Sequence, residues 1–212
     1  MPEPRVLIDR AYDDLSRLGE AEEAIHATIA ALDRGEIRVA EKVEGEWVVH
    51  EWVKRAIILY FRVAPLEVRR AGPLEYHDRI PAKQGLAAAG VRVVPSATVR
   101  YGAFCEPGVV VMPAFVNIGA YVGTGTMVDT WATVGSCAQV GRDVHIAGGV
   151  GIGGVLEPAN AVPVIIGDEC MIGSRCIVAE GARVGEGTIL GAGCVLTGSI
   201  PVFDAETGDE LS

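Results

Sequence analysis

From about residue 92 onward, the apolar residues of the chain fall on a six-residue period. Written in hexads, the sequence runs FCEPGV, VVMPAF, VNIGAY, VGTGTM, VDTWAT, VGSCAQ, VGRDVH, IAGGVG and IGGVLE. The leading position is Phe104, Val110, Val116, Val122, Val128, Val134, Val140, Ile146 and Ile152, all large and apolar. The fifth is mostly small: Gly108, Ala114, Ala120, Thr126, Ala132, Ala138, Val144 and Val150. Helices repeat at about 3.6 residues and ordinary strands at 2, so neither accounts for a period of six. A hexad repeat predicts a left-handed parallel β-helix, in which each hexad supplies a short strand and a turn, and three hexads close a triangular coil of about 18 residues. Leading aliphatics stack inside the prism, small fifth residues fit near its corners, and Gly at the second position suits the turn. After Ile152 the period slips, the next in-phase residue being Ile166, two residues beyond two full hexads. It resumes as IGDECM, IGSRCI, VAEGAR, VGEGTI and LGAGCV. The slip marks a loop excursion near 153–164, and loops carried on a rigid scaffold are where binding concentrates.

Residues 1–90 have a different pattern. Val6, Leu7, Leu15 and Leu18, then Ala24, Ile25, Thr28, Ile29 and Leu32, recur at helical spacing, with Gly19 and Gly35 as stop signals. Val39, Val43, Trp47 and Val49 flank a Glu44-Gly45 turn, and a helix-like run extends from Glu51 to Arg62. Pro65, Gly72, Pro73 and Pro81 break any long element beyond it. The expected organisation is a mainly helical N-terminal domain over 1–90, a β-helix over 91–200 and a short tail over 201–212.

Charge and cysteine content narrow the function. A net charge of −10 over 212 residues argues against a nucleic-acid partner, so any anionic ligand needs a local basic patch. The longest apolar runs, such as Ala56 to Phe61, are far shorter than a bilayer-spanning helix of roughly 20 residues. The N-terminus lacks a basic stretch followed by an apolar run, and five cysteines without a CxxC pair suit a reducing compartment. The expectation is a cytoplasmic protein with no membrane segment. Cys170, Cys176 and Cys194 occupy fifth positions of the repeat, where a small hydrophobe is wanted, and Cys176 and Cys194 are expected to stack one coil apart.

Within the repeat, Asp129 stands at a second position where other hexads carry Gly. It reads either as a turn residue bonding its own backbone or as a surface carboxylate available for chemistry. His145, the one histidine of the repeat, reads either as a packed corner residue or as a base able to take a proton near neutral pH. The other histidines, His26, His50 and His77, all lie in the N-terminal segment, which argues against a catalytic zinc centre. The Gly-rich run Gly148 to Gly154 follows a repeat and does not open a βαβ unit, so it is no dinucleotide loop.

Three stretches carry a resemblance: MVDTWATVGSCAQVGRDVHIAGGVGIGGVLEP (127–158), IRVAEKVEGEWVVHEWVKRAIILYFR (37–62) and GVRVVPSATVRYGAFCEPGVVVMPAFVNIGAYV (90–122). They resemble the tetrahydrodipicolinate N-succinyltransferases of the hexapeptide-repeat transferases, over about residues 20–208. The resemblance implies transfer of a succinyl group from succinyl-CoA to the amine of ring-opened tetrahydrodipicolinate, 2-amino-6-oxopimelate, in lysine and diaminopimelate synthesis. It implies a homotrimer with sites between neighbouring β-helices, and no permanently bound cofactor. The family's substrate-binding arginine matches Arg92, and its substrate-contacting catalytic aspartate matches Asp129. Two departures stand out. A family glutamate proposed as the second catalytic acid falls at Ile177, with Glu180 matching a different acidic position. After the last hexad the sequence reads VFDAETGDELS, whereas the family continues with a strand-rich segment that helps hold CoA, so weak CoA binding is expected.

Overall fold

The computed structural model describes residues 3–211. The N-terminal part is a three-helix cluster. Helix α1 (Pro4–Asp13) starts with Pro at its first turn, where a missing N–H costs nothing. A single 3-10 turn at Leu15–Arg17, capped by the Asp14 carboxylate on the Ser16 N–H, leads into α2 (Leu18–Asp33). Gly19 therefore lies inside the first turn of α2 and does not end a helix, contrary to the stop signal read above. Gly35, at φ +71, does follow the end of α2, and a Cβ there would meet the Phe104 ring at 2.7 Å. Strands β1 (Ala40–Val43) and β2 (Glu46–Val49) form a hairpin whose turn residues, Glu44 and Gly45, both have positive φ, the combination that matches strand twist. Helix α3 (Glu51–Val63) buries Val53, Ala56, Ile57 and Leu59 against Ile25, Ile29 and Leu32 of α2.

A second hairpin, β3 (Glu67–Ala71) and β4 (Leu74–Asp78), turns at Gly72-Pro73. The sequence reading missed it because its strands are mostly exposed and polar, with no buried face to impose alternation.

From Arg92 the chain winds into a parallel β-solenoid of two-residue strands in three sheets. The first face stacks Arg92–Val93, Val110–Val111, Met127–Val128, His145–Ile146, Met171–Ile172 and Ile189–Leu190. The second stacks Thr98–Val99, Phe115–Val116, Thr133–Val134, Gly151–Ile152, Ile177–Val178 and Val195–Leu196. The third stacks Phe104–Cys105, Tyr121–Val122, Gln139–Val140, Ile165–Ile166 and Arg183–Val184. In each pair the second residue points into the prism, and Val116, Val122, Val128, Val134, Val140, Ile146 and Ile152 are at most 1% exposed.

The hexad phase needs two corrections. Phe104 and Val110 are not inward: Cys105 and Val111 take those places, and five residues, not six, separate Val111 from Val116. Beyond Ile152, the next inward residue is Ile166 on the adjacent face, so the excursion is one ordinary corner enlarged by insertion and skips no hexad.

The two recurrent glycine positions have different causes. Left-handed φ belongs to the fourth position, seen at Gly119, Gly125, Trp131, Cys137, Asp143, Glu169 and Arg175. The second-position glycines make room for the coil above: a Cβ on Gly135 would sit 2.2 Å from the Gly154 nitrogen, and one on Gly141 would sit 2.7 Å from the Asp168 nitrogen. Fifth-position residues are small because they stack inside a corner; Cys170 and Cys176 are buried there, while Cys194, in the uppermost coil, is exposed. No described helix is long and apolar enough to cross a membrane.

The helical cluster packs on the third face and its lower corner, with Ile118 and Cys137 completing its core. Lys83, almost fully buried, joins the two parts by bonding the Asp33 carboxylate at 2.7 Å, and that carboxylate also accepts the Gly102 N–H.

Candidate active site

Asp129 sits where the first face turns into the second, directly after the inward Val128. Its backbone is fixed by two hydrogen bonds, N–H to the Ile146 carbonyl and carbonyl from the Ala132 N–H. Its Oδ1 accepts the Thr130 N–H at 2.6 Å and the Thr130 hydroxyl at 3.2 Å, while Oδ2 has no partner among the described residues. The local turn bond read from the sequence is thus present, and it leaves one carboxylate oxygen free and held in a defined direction. Two residues on, Trp131 is 77% exposed with φ +61, a backbone region that costs a non-Gly residue of order 1–3 kcal/mol. Such strain persists where surroundings or function demand it.

His145 is an outward residue of the first face, half-buried between Met127 below and Met171 above. It lies one rung above Met127, and no hydrogen bond joins it to Asp129. Arg92 is outward on the same face, exposed, two rungs below Met127, or about 10 Å at the usual strand spacing. The three residues singled out by sequence therefore share one face and its edge.

Ile177 is an outward, 48% exposed residue of the second face. Glu180, in the corner beyond it, accepts the Ser199 hydroxyl at 3.0 Å. The excursion over 153–164 leaves at the corner between the second and third faces, away from Asp129. Its middle is held by Lys54 of α3, a fully buried side chain whose ammonium donates to the Pro158 and Ala161 carbonyls at 3.2 and 2.5 Å. Burial pushes the Lys54 pKa down. Trp131 and Lys54 escaped the sequence reading: one is an aromatic at a turn position otherwise open to any left-handed residue, and the other has partners more than a hundred positions away. Among the described residues no group of three or more His, Cys, Asp or Glu is placed to hold a metal ion.

Comparison with known proteins falls on both parts of this architecture. Residues 5–63 match the family model "Tetrahydrodipicolinate N-succinyltransferase N-terminal", and residues 163–198 match "Bacterial transferase hexapeptide (six repeats)". The 2,3,4,5-tetrahydropyridine-2,6-dicarboxylate N-succinyltransferase of Aeromonas salmonicida (strain A449) is 52% identical over 96 residues, 42% of this chain and 35% of that protein. The enzyme of the same name from Bordetella pertussis is 48% identical over 118 residues, 50% of this chain and 43% of that protein. The matched stretches thus span less than half the length of these curated relatives. Among solved structures, the acetyltransferase domain of PglB from Neisseria gonorrhoeae FA1090 overlaps 57% of this chain and 55% of that one, at 27% identity and a TM-score of 0.39. The chain is thus similar to the tetrahydrodipicolinate N-succinyltransferases over its N-terminal segment, to the hexapeptide-repeat transferases over residues 163–198, and about half identical to curated N-succinyltransferases over the matched stretches.

Proposed function

We propose that the chain is an acyl-CoA-dependent N-acyltransferase that moves a succinyl group from succinyl-CoA to the amine of 2-amino-6-oxopimelate, the ring-opened form of tetrahydrodipicolinate. The observation that carries this reading is the Asp129 carboxylate, oriented by Thr130 with Oδ2 left without a partner among the described residues, in a stretch that resembles the N-succinyltransferases. The amine must lose a proton as its nitrogen attacks the thioester carbonyl, and a carboxylate beside it accepts that proton and orients the lone pair. The new amide bond forms as the C–S bond breaks, and CoA leaves as the thiol after taking up a proton. Arg92 is assigned to a substrate carboxylate, because a guanidinium forks onto a carboxylate with two parallel hydrogen bonds. His145 stands as the rival base. Direct transfer needs neither a covalent acyl-enzyme nor a resident cofactor.

The proposed assembly is a homotrimer, with each site completed between adjacent solenoids, and the proposed division places the N-terminal domain at 1–90 and the acyltransferase domain at 91–200. CoA release in the presence of L-2-aminopimelate, a stable analogue of the acceptor, tests the reading, with succinyl-CoA and acetyl-CoA run side by side. Preference for succinyl-CoA supports it, and preference for acetyl-CoA replaces the donor. A second reading, a non-catalytic solenoid, is favoured by Ile177, whose side chain transfers no proton; no CoA release with either donor would establish it.

A further inference from the structure

At the opposite edge of the first face from Asp129, where the third face turns into the first, the β1–β2 hairpin overhangs the coils and encloses a cleft of about 580 Å³. This lies within the size range of small-molecule sites. Its floor carries Tyr121 and Arg183, its roof Lys42 and Trp47, and Arg38 reaches in from the segment before β1.

Arg38 is held as a ligand-binding guanidinium is held. Its Nε donates to Gln139 Oε1 at 3.0 Å. Gln139 is fully buried, and its amide nitrogen donates to the Cys137 carbonyl at 3.0 Å, with longer contacts to Ala138 and Gly119, so the accepting oxygen cannot swing away. The guanidinium carbon lies 3.5 Å from the Tyr121 ring centroid, which fixes the plane of the fork. Only Nε is used: the two terminal nitrogens, the Lys42 ammonium and the Arg183 guanidinium have no hydrogen-bond or ion-pair partner among the described residues.

The acidic side chains of the cleft are mostly spoken for. Glu106 accepts from the Tyr121 hydroxyl and the Thr124 N–H, Asp168 is paired with Arg142, and Glu41 is bonded to His50. Only Glu186 faces the cleft without such a partner. The lining is thus balanced in charge, with Arg38, Lys42, Arg142 and Arg183 against Glu41, Glu106, Asp168 and Glu186, but three of its cations are left without a direct ion-pair partner among the described residues, around a rigid, half-buried fork. Arg38 has lost water without gaining a direct ion pair, and burial pushes its pKa down against the opposing pull of Tyr121, Glu106, Glu41 and Asp168 nearby.

We propose that this cleft is a second ligand site, separate from the Asp129 corner, which binds a small organic oxyanion, carboxylate or phosphate, forked by Arg38 and steadied by Lys42 and Arg183. Such a ligand bridges the N-terminal hairpin and the coils, so it braces the two parts of the chain against each other.

Calorimetry on the whole chain at low ionic strength, with inorganic phosphate and succinate as separate probes, tests the assignment and tells the two chemistries apart. At least one probe is expected to bind. Arg38→Gln should weaken it about tenfold, the scale of a lost charge-assisted hydrogen bond, and Arg183→Gln and Lys42→Gln should each weaken it by less. Arg38→Lys, which keeps the charge but removes the fork, should not restore affinity. Arg92→Gln and Asp129→Asn should leave it unchanged. Should Arg38→Gln fail to fold, the exposed Arg183 and Lys42 variants decide alone. Absence of millimolar binding by both probes would overturn the proposal, as would binding lost in Arg92→Gln but retained without Lys42 and Arg183.

Discussion

Asp129 answers two demands with two oxygens. One closes its own turn through Thr130, and the other is left over. In Asp129→Asn the amide oxygen still accepts from Thr130, so the turn survives while the basicity is gone. Turnover should then fall on the order of 10²-fold or more with the fold intact by circular dichroism. His145→Ala is the matching control, and a larger loss there would transfer the base role to His145. Arg38 shows how far a residue's role can lie outside the reach of a sequence: its defining partner is Gln139, 101 positions away on a separate stretch of the chain. Asp129 was legible because a polar residue interrupts a Gly position in a repeat, whereas Trp131 was not, because the fourth position tolerates Gly, Cys, Asp, Glu and Arg alike.

Among the elements, the coil corners separate two kinds of glycine that a sequence writes with one letter. Gly135→Ala places a methyl group 2.2 Å from the Gly154 backbone, which can move only by parting two coils. Gly187→Ala places one in open space and incurs only the left-handed backbone penalty. Chemical denaturation should report a loss of about 1 kcal/mol for Gly187→Ala and several times that, or failure to fold, for Gly135→Ala. The excursion over 153–164 poses a different question, since it is long for a corner and yet pinned. Lys54→Met fills much the same buried volume but leaves the Pro158 and Ala161 carbonyls without their donor. The expected result is faster amide exchange across 153–164, with the α2–α3 packing and overall Tm little changed, because removing a buried cation also removes its desolvation cost. The period itself was readable from Val116 to Ile152, where every inward residue is a branched aliphatic. It misled at Phe104 and Val110, which are apolar for a different reason: Phe104 packs under Gly35 of the helical cluster, so burial on the outside imitated burial on the inside.

For the whole molecule, the helical cluster covers the third face and leaves the other two bare. Trp131, Met171, Ile177, Ile189 and Val195 form an exposed apolar series along the first and second faces and the corner between them. Met171 with Ile189 and Ile177 with Val195 are neighbouring rungs, and exposed apolar side chains grouped in this way mark an association site; a closed ring of three copies buries a corner on every subunit. Light scattering should give three times the chain mass, and Trp131→Lys should shift the population toward monomer. A monomeric parent chain would count against both the trimer and the shared catalytic site.

The hydrogen bonds between coils run in both directions: strand N–H groups donate to the coil above, as from Met127 to Val144, His145 to Cys170 and Met171 to Thr188, while corner N–H groups donate to the coil below, as from Trp131 to Pro113, Gly149 to Thr130 and Arg175 to Gly148. Each coil touches only its two neighbours, so stability behaves as a chain of links and not as a single block. The lower links are braced by the helices, while in the upper ones the inward Leu190 and Leu196 are only half-buried. Opening should therefore propagate like a zipper from the upper coils downward. Hydrogen exchange resolved along the chain would read this as a gradient, with amides of residues 183–197 exchanging well before those of 116–152; uniform protection would mean that the solenoid opens all at once.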